Sequence, residues 1–267
     1  AVLFSSKLFI WIPKSKKKKK MGGSEAKPKN FVYETTPFPK VTQPPPSPEL
    51  DVPWRIMPWG RKDTLEEKLM NFKLYSPDVK FVRILVVGPV GVGKSSFINS
   101  INNAFQKRIT SGALAANGAT ISFTKTYKTH HIRGKDGSPL PFVFNDIMGL
   151  ECENNGGARV EDIISALNGF LEEDYKFNPI NPASKTDTNY KSDPRVSDQT
   201  FCLVNVISAN KVSLMSLDFI QKMKEIREKA SALHLPQIII MTKVDEICPL
   251  VKKDIRKVYT SKKIRDK

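Results

Sequence analysis

The chain has 267 residues, a formal net charge of +16 at pH 7, and hydrophobic residues at 40% of its positions. This length and composition suffice for one or two globular domains and argue against a disordered or fibrous chain. The three cysteines stand far apart, which argues against a zinc module and a disulfide framework and favours a reducing compartment such as the cytoplasm.

The positive charge is concentrated at one end. Residues 1–20 hold seven lysines and no acid, so the remainder carries 36 basic against 27 acidic residues, or +9. We therefore predict no specific nucleic-acid partner. The apolar run over residues 1–13 is shorter than the ~20 residues of a membrane-spanning helix, and its lysines follow it rather than precede it as in a signal peptide. We interpret residues 1–20 as an apolar and polybasic extension of doubtful origin before a start at Met21, and predict no membrane association.

A flexible segment and one folded domain are predicted after this extension. Residues 21–53 are rich in proline and lysine, which removes backbone donors and disfavours helices and strands. The domain is expected to occupy residues 54–267, with Trp54 and Trp59 packing on it. Thr64 and Glu67 fit a capping box that opens a helix ending near Tyr75.

Strands and helices alternate from Lys80 onward. Strand-like segments are Phe81–Val87, Thr120–Ile132, Phe142–Phe144, Phe201–Ile207 and Gln237–Met241, and helix-like segments are Gly93–Phe105, Val160–Leu171 and Leu217–Leu233. Buried strands alternating with helices predict an α/β fold, a three-layer, doubly wound and mostly parallel sheet of the P-loop NTPase type.

A phosphate-binding loop is the strongest motif. The stretch Gly88-Pro-Val-Gly-Val-Gly-Lys-Ser95 matches GxxxxGK[ST] where a strand gives way to a helix. Its amides form a positive concavity for phosphate oxygens, Lys94 adds a full charge, and the Ser95 hydroxyl can bind Mg²⁺. The predicted phosphate-binding residues are Gly88, Pro89, Val90, Gly91, Val92, Gly93, Lys94, Ser95 and Ser96.

Two further motifs stand at predicted strand ends. Asp146 and Gly149 form DxxG, where the carboxylate can hold Mg²⁺ together with Ser95 and the glycine amide can sense a γ-phosphate; an ordinary turn aspartate is the competing interpretation. Thr242, Lys243 and Asp245 match [NT]KxD. The Asp245 carboxylate can accept hydrogen bonds from guanine N1–H and its 2-amino group, which adenine lacks, so guanine nucleotides are favoured.

A threonine that closes over Mg²⁺ and γ-phosphate cannot be assigned uniquely. Thr120 and Thr124 stand nearest the start of the second predicted strand and are the switch I candidates. For each of them, a threonine on a strand surface is an equally good interpretation.

The chain from about Trp54 onward resembles the interferon-induced protein 44 family. The resemblance rests on WR…WG at residues 54–60, GPVGVGKSSFINS, SFTKTYKTHHI, FVFNDIMGLE and MTKVDEICP. It implies a cytoplasmic, GTPase-like protein of interferon-induced antiviral responses, with Gly88 to Ser96 on phosphates, Asp146 and Gly149 in the switch, and Lys243 with Asp245 on the base. Family members continue well beyond the last motif, so we expect a G domain that lacks its last strand and helix and leaves an unpaired sheet edge.

Hydrolysis is left open by the sequence. Leu150 occupies the position where many GTPases carry a water-orienting glutamine, and Val90 replaces a common glycine. One hypothesis is a slow GTPase switch that binds GTP or GDP with Mg²⁺ and presents its switch regions to a protein partner or a second copy. The other is a non-catalytic, pseudo-GTPase scaffold that binds nucleotide poorly.

Overall fold

The computed structural model describes residues 8–11, 47–110, 112–113, 125–151 and 156–267, the first of these ranges by its backbone alone. The switch I candidates Thr120 and Thr124 lie outside the described residues, as does most of the predicted flexible segment 21–53. None of the helices in these ranges is both long and apolar enough to span a membrane.

A mixed, mostly parallel sheet organises the fold. Its strands are β1 (Leu8–Trp11), β2 (Val82–Val87), β3 (Lys128–Arg133), β4 (Pro139–Asp146), β5 (Cys202–Ser208) and β6 (Gln237–Thr242). The spatial order is β1-β6-β5-β2-β4-β3. The inner pairs β4–β2, β2–β5 and β5–β6 are parallel, while β3 and the short β1 pair antiparallel at the two edges. The carboxyl ends of β2, β4, β5 and β6 therefore share one edge of the sheet.

Helices cover both faces of this sheet. The main ones are α1 (Lys62–Met70), α2 (Lys94–Gln106), α3 (Val160–Leu167) and α4 (Leu217–Ala232). Leu85 of β2 belongs to a buried cluster with Ile163 of α3 and Phe219 of α4. The next residue, Val86, belongs to a second cluster that contains Phe97 of α2. Successive side chains of a strand point to opposite faces, so the two clusters lie on opposite sides of β2. The predicted three-layer α/β arrangement is confirmed.

The region after β6 differs from the prediction. The chain continues into three short helices, α5 (Val244–Ile247), α6 (Pro249–Lys253) and α7 (Lys262–Arg265). On the outer side of β6, β1 pairs in antiparallel register, from Leu8 opposite Thr242 to Trp11 opposite Ile239. The expectation of an unpaired sheet edge beside β6 is therefore wrong, because the β1 backbone occupies it.

Two helix boundaries also depart from the prediction. Helix α1 begins at Lys62, and its N-cap, Arg61, makes no side-chain capping bond. Thr64 thus lies inside the helix and cannot cap it, so the predicted capping box is wrong. Helix α3 ends at Leu167 rather than Leu171, because the backbone turns left-handed at Gly169, where φ is 84°.

Candidate nucleotide-binding site

The predicted phosphate-binding loop lies between β2 and α2. Gly93 has a φ of 100°, in the left-handed region that favours glycine, and α2 begins at the next residue. Lys94 is buried, with 7% of its surface exposed. Its ammonium group donates to the carbonyl oxygens of Gly88 and Pro89, each at 3.2 Å. The loop is therefore folded around the lysine.

The charge of Lys94 is held in an unfavourable environment. Burial lowers the pKa of Lys94 from 10.5 to about 8, and the nearby Asp146 carboxylate opposes this shift by favouring the charged form. Desolvation is the larger effect, since neutral carbonyls replace much of the water around the ammonium. An anion placed against this loop would supply the missing opposite charge.

The Ser95 hydroxyl and Asp146 are in direct contact. Ser95 Oγ donates to Asp146 Oδ2 at 2.7 Å, across the gap between the start of α2 and the end of β4. Asp146 is buried, at 2% exposure. A hydroxyl and a carboxylate are oxygen ligands of the kind that Mg²⁺ prefers. The two residues predicted to hold Mg²⁺ thus lie together, and their chemistry fits that ion.

The segment after Asp146 is fixed to the phosphate-binding loop. Val90 N donates to Leu150 O at 3.2 Å, and Leu150 N donates to Gly88 O at 3.0 Å. A Cβ added to Gly149 would lie 2.6 to 2.9 Å from atoms of Val90, so only glycine fits there. Leu150 is 1% exposed. The side chain in the usual glutamine position therefore packs in the core and offers no polar atom.

The third motif reaches the same loop from β6. Thr242 Oγ1 lies 2.6 Å from the carbonyl oxygen of Val92 and donates to it, with Ile207 O as a weaker acceptor at 3.2 Å. Thr242 is 4% exposed. The hydroxyl thus ties the end of β6 directly to the phosphate-binding loop, across 150 residues of sequence.

Lys243 and Asp245 follow Thr242 and its hydrogen bond to Val92. Lys243 adopts a left-handed conformation, with φ at 55°, and precedes α5, which carries Asp245 in its first turn. The Oδ1 atom of Asp245 is buried and has no hydrogen-bond partner among the residues that the structure describes. A buried carboxylate oxygen without a donor is costly, so a ligand that donates hydrogen bonds fits this position.

Sequence reasoning missed a polar chain that supports α5. Ser208 Oγ donates to Asn210 Oδ1 at 2.6 Å, and Asn210 Nδ2 donates to Glu246 Oε2 at 2.5 Å. These bonds connect the end of β5 to the residue after Asp245. Their only sequence signal was position, since Ser208 and Asn210 follow an apolar strand as the other site residues do.

The three predicted motifs therefore approach one edge of the sheet. Direct contacts join the phosphate-binding loop to Asp146 through Ser95, to Leu150 through Val90, and to Thr242 through Val92.

Among the described residues there is no cluster of three or more His, Cys, Asp or Glu side chains able to hold a metal ion. A metal at this site would depend on few protein ligands, as Mg²⁺ with nucleotide phosphates does.

Comparison with known proteins places the chain in a family. No family model matches it. Human interferon-induced protein 44 is 33% identical over 207 residues, which are 77% of this chain and 46% of the human protein. The chain belongs to the interferon-induced protein 44 family. The mouse protein of the same name is 31% identical over 204 residues, and human interferon-induced protein 44-like is 30% identical over 186 residues.

The family resemblance found in the sequence is thus confirmed. The chain spans about half the length of the curated interferon-induced protein 44 relatives it matches, between 41% and 48% of each. Activities and partners of the whole proteins therefore come to this chain only as proposals.

Proposed function

We propose that this chain binds guanine nucleotides with Mg²⁺ through a P-loop NTPase-type site. The observation that carries the proposal is the 2.6 Å hydrogen bond from Thr242 to Val92, which joins the candidate base-recognition motif to the candidate phosphate-binding loop. Strand order and parallel pairing support it, because they bring the ends of β2, β4 and β6 to one edge of the sheet.

Each part of the ligand has a suitable group. Lys94 and the amides that open α2 would bind phosphates, and Ser95 with Asp146 would hold Mg²⁺, which neutralises phosphate charge. The unpartnered Oδ1 of Asp245 would accept hydrogen bonds from the guanine edge. Lys243 would lie along the base. GTP and GDP meet these requirements, whereas adenine nucleotides would leave the Asp245 oxygen unpaired.

Slow or absent hydrolysis fits the same geometry. Leu150 is buried and its backbone is paired with Val90, so neither its side chain nor its position can orient an attacking water. The names of the relatives support an interferon-induced role. We propose a cytoplasmic, switch-like protein of the antiviral immune response, whose switch regions bind a protein partner or a second copy when nucleotide is bound.

Fluorescent nucleotide titration tests the proposal. The purified chain is titrated into mant-GDP and mant-ADP with Mg²⁺, beside Lys94→Ala and Asp245→Ala variants whose folding is checked by circular dichroism. We expect tighter binding of mant-GDP than mant-ADP. Lys94→Ala should weaken both nucleotides, whereas Asp245→Ala should weaken only the guanine one, because it lies on the base side of the site.

The same experiment separates the alternatives. Equal affinity for the two nucleotides would refute guanine recognition. A folded wild-type chain that binds neither would favour the non-catalytic scaffold, for which the buried Leu150 is the supporting observation.

A further inference from the structure

A segment that precedes α1 is joined to the region that follows β6. We call residues 47–59 the tryptophan arm. Its backbone pairs with the C-terminal region, since Leu50 N donates to Thr260 O at 2.7 Å and Trp54 N donates to Tyr259 O at 3.0 Å. The side chain of Glu49 accepts from Thr260 Oγ1 and Lys257 Nζ, each at 2.8 Å. The arm is thus held by both backbone and side-chain bonds.

Tyr259 is the centre of this junction. Its ring lies 5.0 Å from the ring of Trp54 in an edge-to-face arrangement and 6.1 Å from the ring of Trp59. The Arg55 guanidinium carbon lies 5.6 Å from the centre of the same ring. Tyr259 is 2% exposed. Aromatic pairs and a cation–π contact of this kind stabilise a junction beyond the area they bury.

The same cluster supports the candidate base-recognition motif. Tyr259 belongs to a buried core with Met241, Val244 and Cys248, and both tryptophans pack against it. Met241 precedes the Thr242–Asp245 motif, Val244 lies within it, and Cys248 follows α5. The Cys248 and Ser261 side chains are also in contact, at 3.2 Å. Val244 of α5 is thus a member of this cluster, and Ile247 of α5 packs against it.

We propose that the tryptophan arm positions Asp245 for guanine binding, with Tyr259 as the positioning residue that transmits the arm's support to α5. This proposal rests on the proposed nucleotide binding. Loosening the arm would let α5 move while leaving the phosphate-binding loop intact, because Lys94 is held by Gly88 and Pro89 and not by the cluster. Base recognition would then weaken without a change in phosphate binding.

The test compares two ligands that share only the phosphates. GDP and pyrophosphate, each with Mg²⁺, are used to displace mant-GDP from the full chain, from Tyr259→Ala, and from the matched control Tyr259→Phe. The Ala variant should lose affinity for GDP by about tenfold, a change of ~1.4 kcal/mol, and keep its pyrophosphate affinity. The Phe variant retains the ring and should bind both ligands like the wild type.

The outcomes distinguish this inference from the proposed function. A wild-type chain that does not bind mant-GDP overturns the proposed function and this inference with it. Wild-type binding with unchanged GDP affinity in Tyr259→Ala overturns the positioning role alone, as does an equal loss for GDP and pyrophosphate. If circular dichroism shows that Tyr259→Ala is unfolded, Glu49→Gln decides, because it weakens the arm without opening the core. A GDP-selective loss there supports the inference, and none overturns it.

Discussion

Replacing Lys94 with methionine should stabilise the nucleotide-free protein at neutral pH. Burial lowers the pKa of Lys94 from 10.5 to about 8, which corresponds to about 3 kcal/mol for keeping the ammonium charged in the folded state at pH 7. Methionine has a similar length and carries no charge. It cannot donate to the carbonyls of Gly88 and Pro89, which costs about 1 kcal/mol for each bond. The net expectation is a gain of about 1 kcal/mol in the free energy of unfolding.

The pH dependence of this difference identifies Lys94 as its source. Between pH 8 and 10.5 the unfolded chain binds more protons at Lys94 than the folded chain, so the wild type gains stability as pH rises through this window. The Lys94→Met variant has no such group. Its advantage should therefore shrink above pH 8 and change sign near pH ~9, where the penalty that remains has fallen to about 2 kcal/mol, the cost of losing the two hydrogen bonds.

Urea unfolding followed by circular dichroism, at a series of pH values from 7 to 10, measures the difference in the free energy of unfolding between Lys94→Met and the wild type. Other titrating groups are common to both proteins and cancel in the subtraction. Lys211→Met, at an exposed lysine, is the control and should give a small difference that does not vary with pH. A Lys94→Met difference that stayed constant across this range would refute the reasoning, because it would show that the lysine charge is not penalised by folding.

Three other substitutions test contacts around the loop. Thr242→Val removes the hydroxyl that donates to Val92 O and should cost about 1 kcal/mol of stability in urea unfolding while weakening GDP binding. Gly149→Ala places a methyl group within 3 Å of Val90 and should cost about 1 to 3 kcal/mol, measured as a lower thermal midpoint. Leu150→Gln should not restore rapid hydrolysis in a phosphate-release assay, because residue 150 points into the core; fast turnover would contradict this placement.

The parts of the site that could be predicted from sequence are those encoded locally. The phosphate-binding loop is contiguous, so its glycines and Lys94 can be identified without knowing the fold. Asp146 and Thr242 could be placed because each follows an apolar segment, and parallel strands align their carboxyl ends. Their approach to one edge required only that these strands run parallel, which alternation with helices already indicates.

The remaining contacts depend on pairings between distant segments. The bonds of Leu150 with Val90 and Gly88 use backbone groups, which every residue other than proline supplies in full, so no side-chain pattern marks them. The docking of the tryptophan arm joins Trp54 and Trp59 to Tyr259, 205 and 200 positions away, through aromatic packing, and a tryptophan in a sequence does not disclose its partner. Likewise, the pairing of β1 with β6 involves only four residues, too few for a periodic pattern.

Two groups in the candidate site are buried at a cost in free energy that a bound nucleotide would reduce. Lys94 is charged in a buried loop, where it donates to the carbonyl oxygens of Gly88 and Pro89, and Asp245 Oδ1 is buried without a donor among the described residues. The first needs an anion and the second a hydrogen-bond donor, and a guanine nucleotide offers both in one molecule. A scaffold with no ligand would be more stable with apolar residues at these positions. Lys94 and Asp245 follow two different strands and require groups of opposite character, an anion and a hydrogen-bond donor. These two requirements favour nucleotide binding over a fold without ligand, independently of whether Leu150 permits hydrolysis.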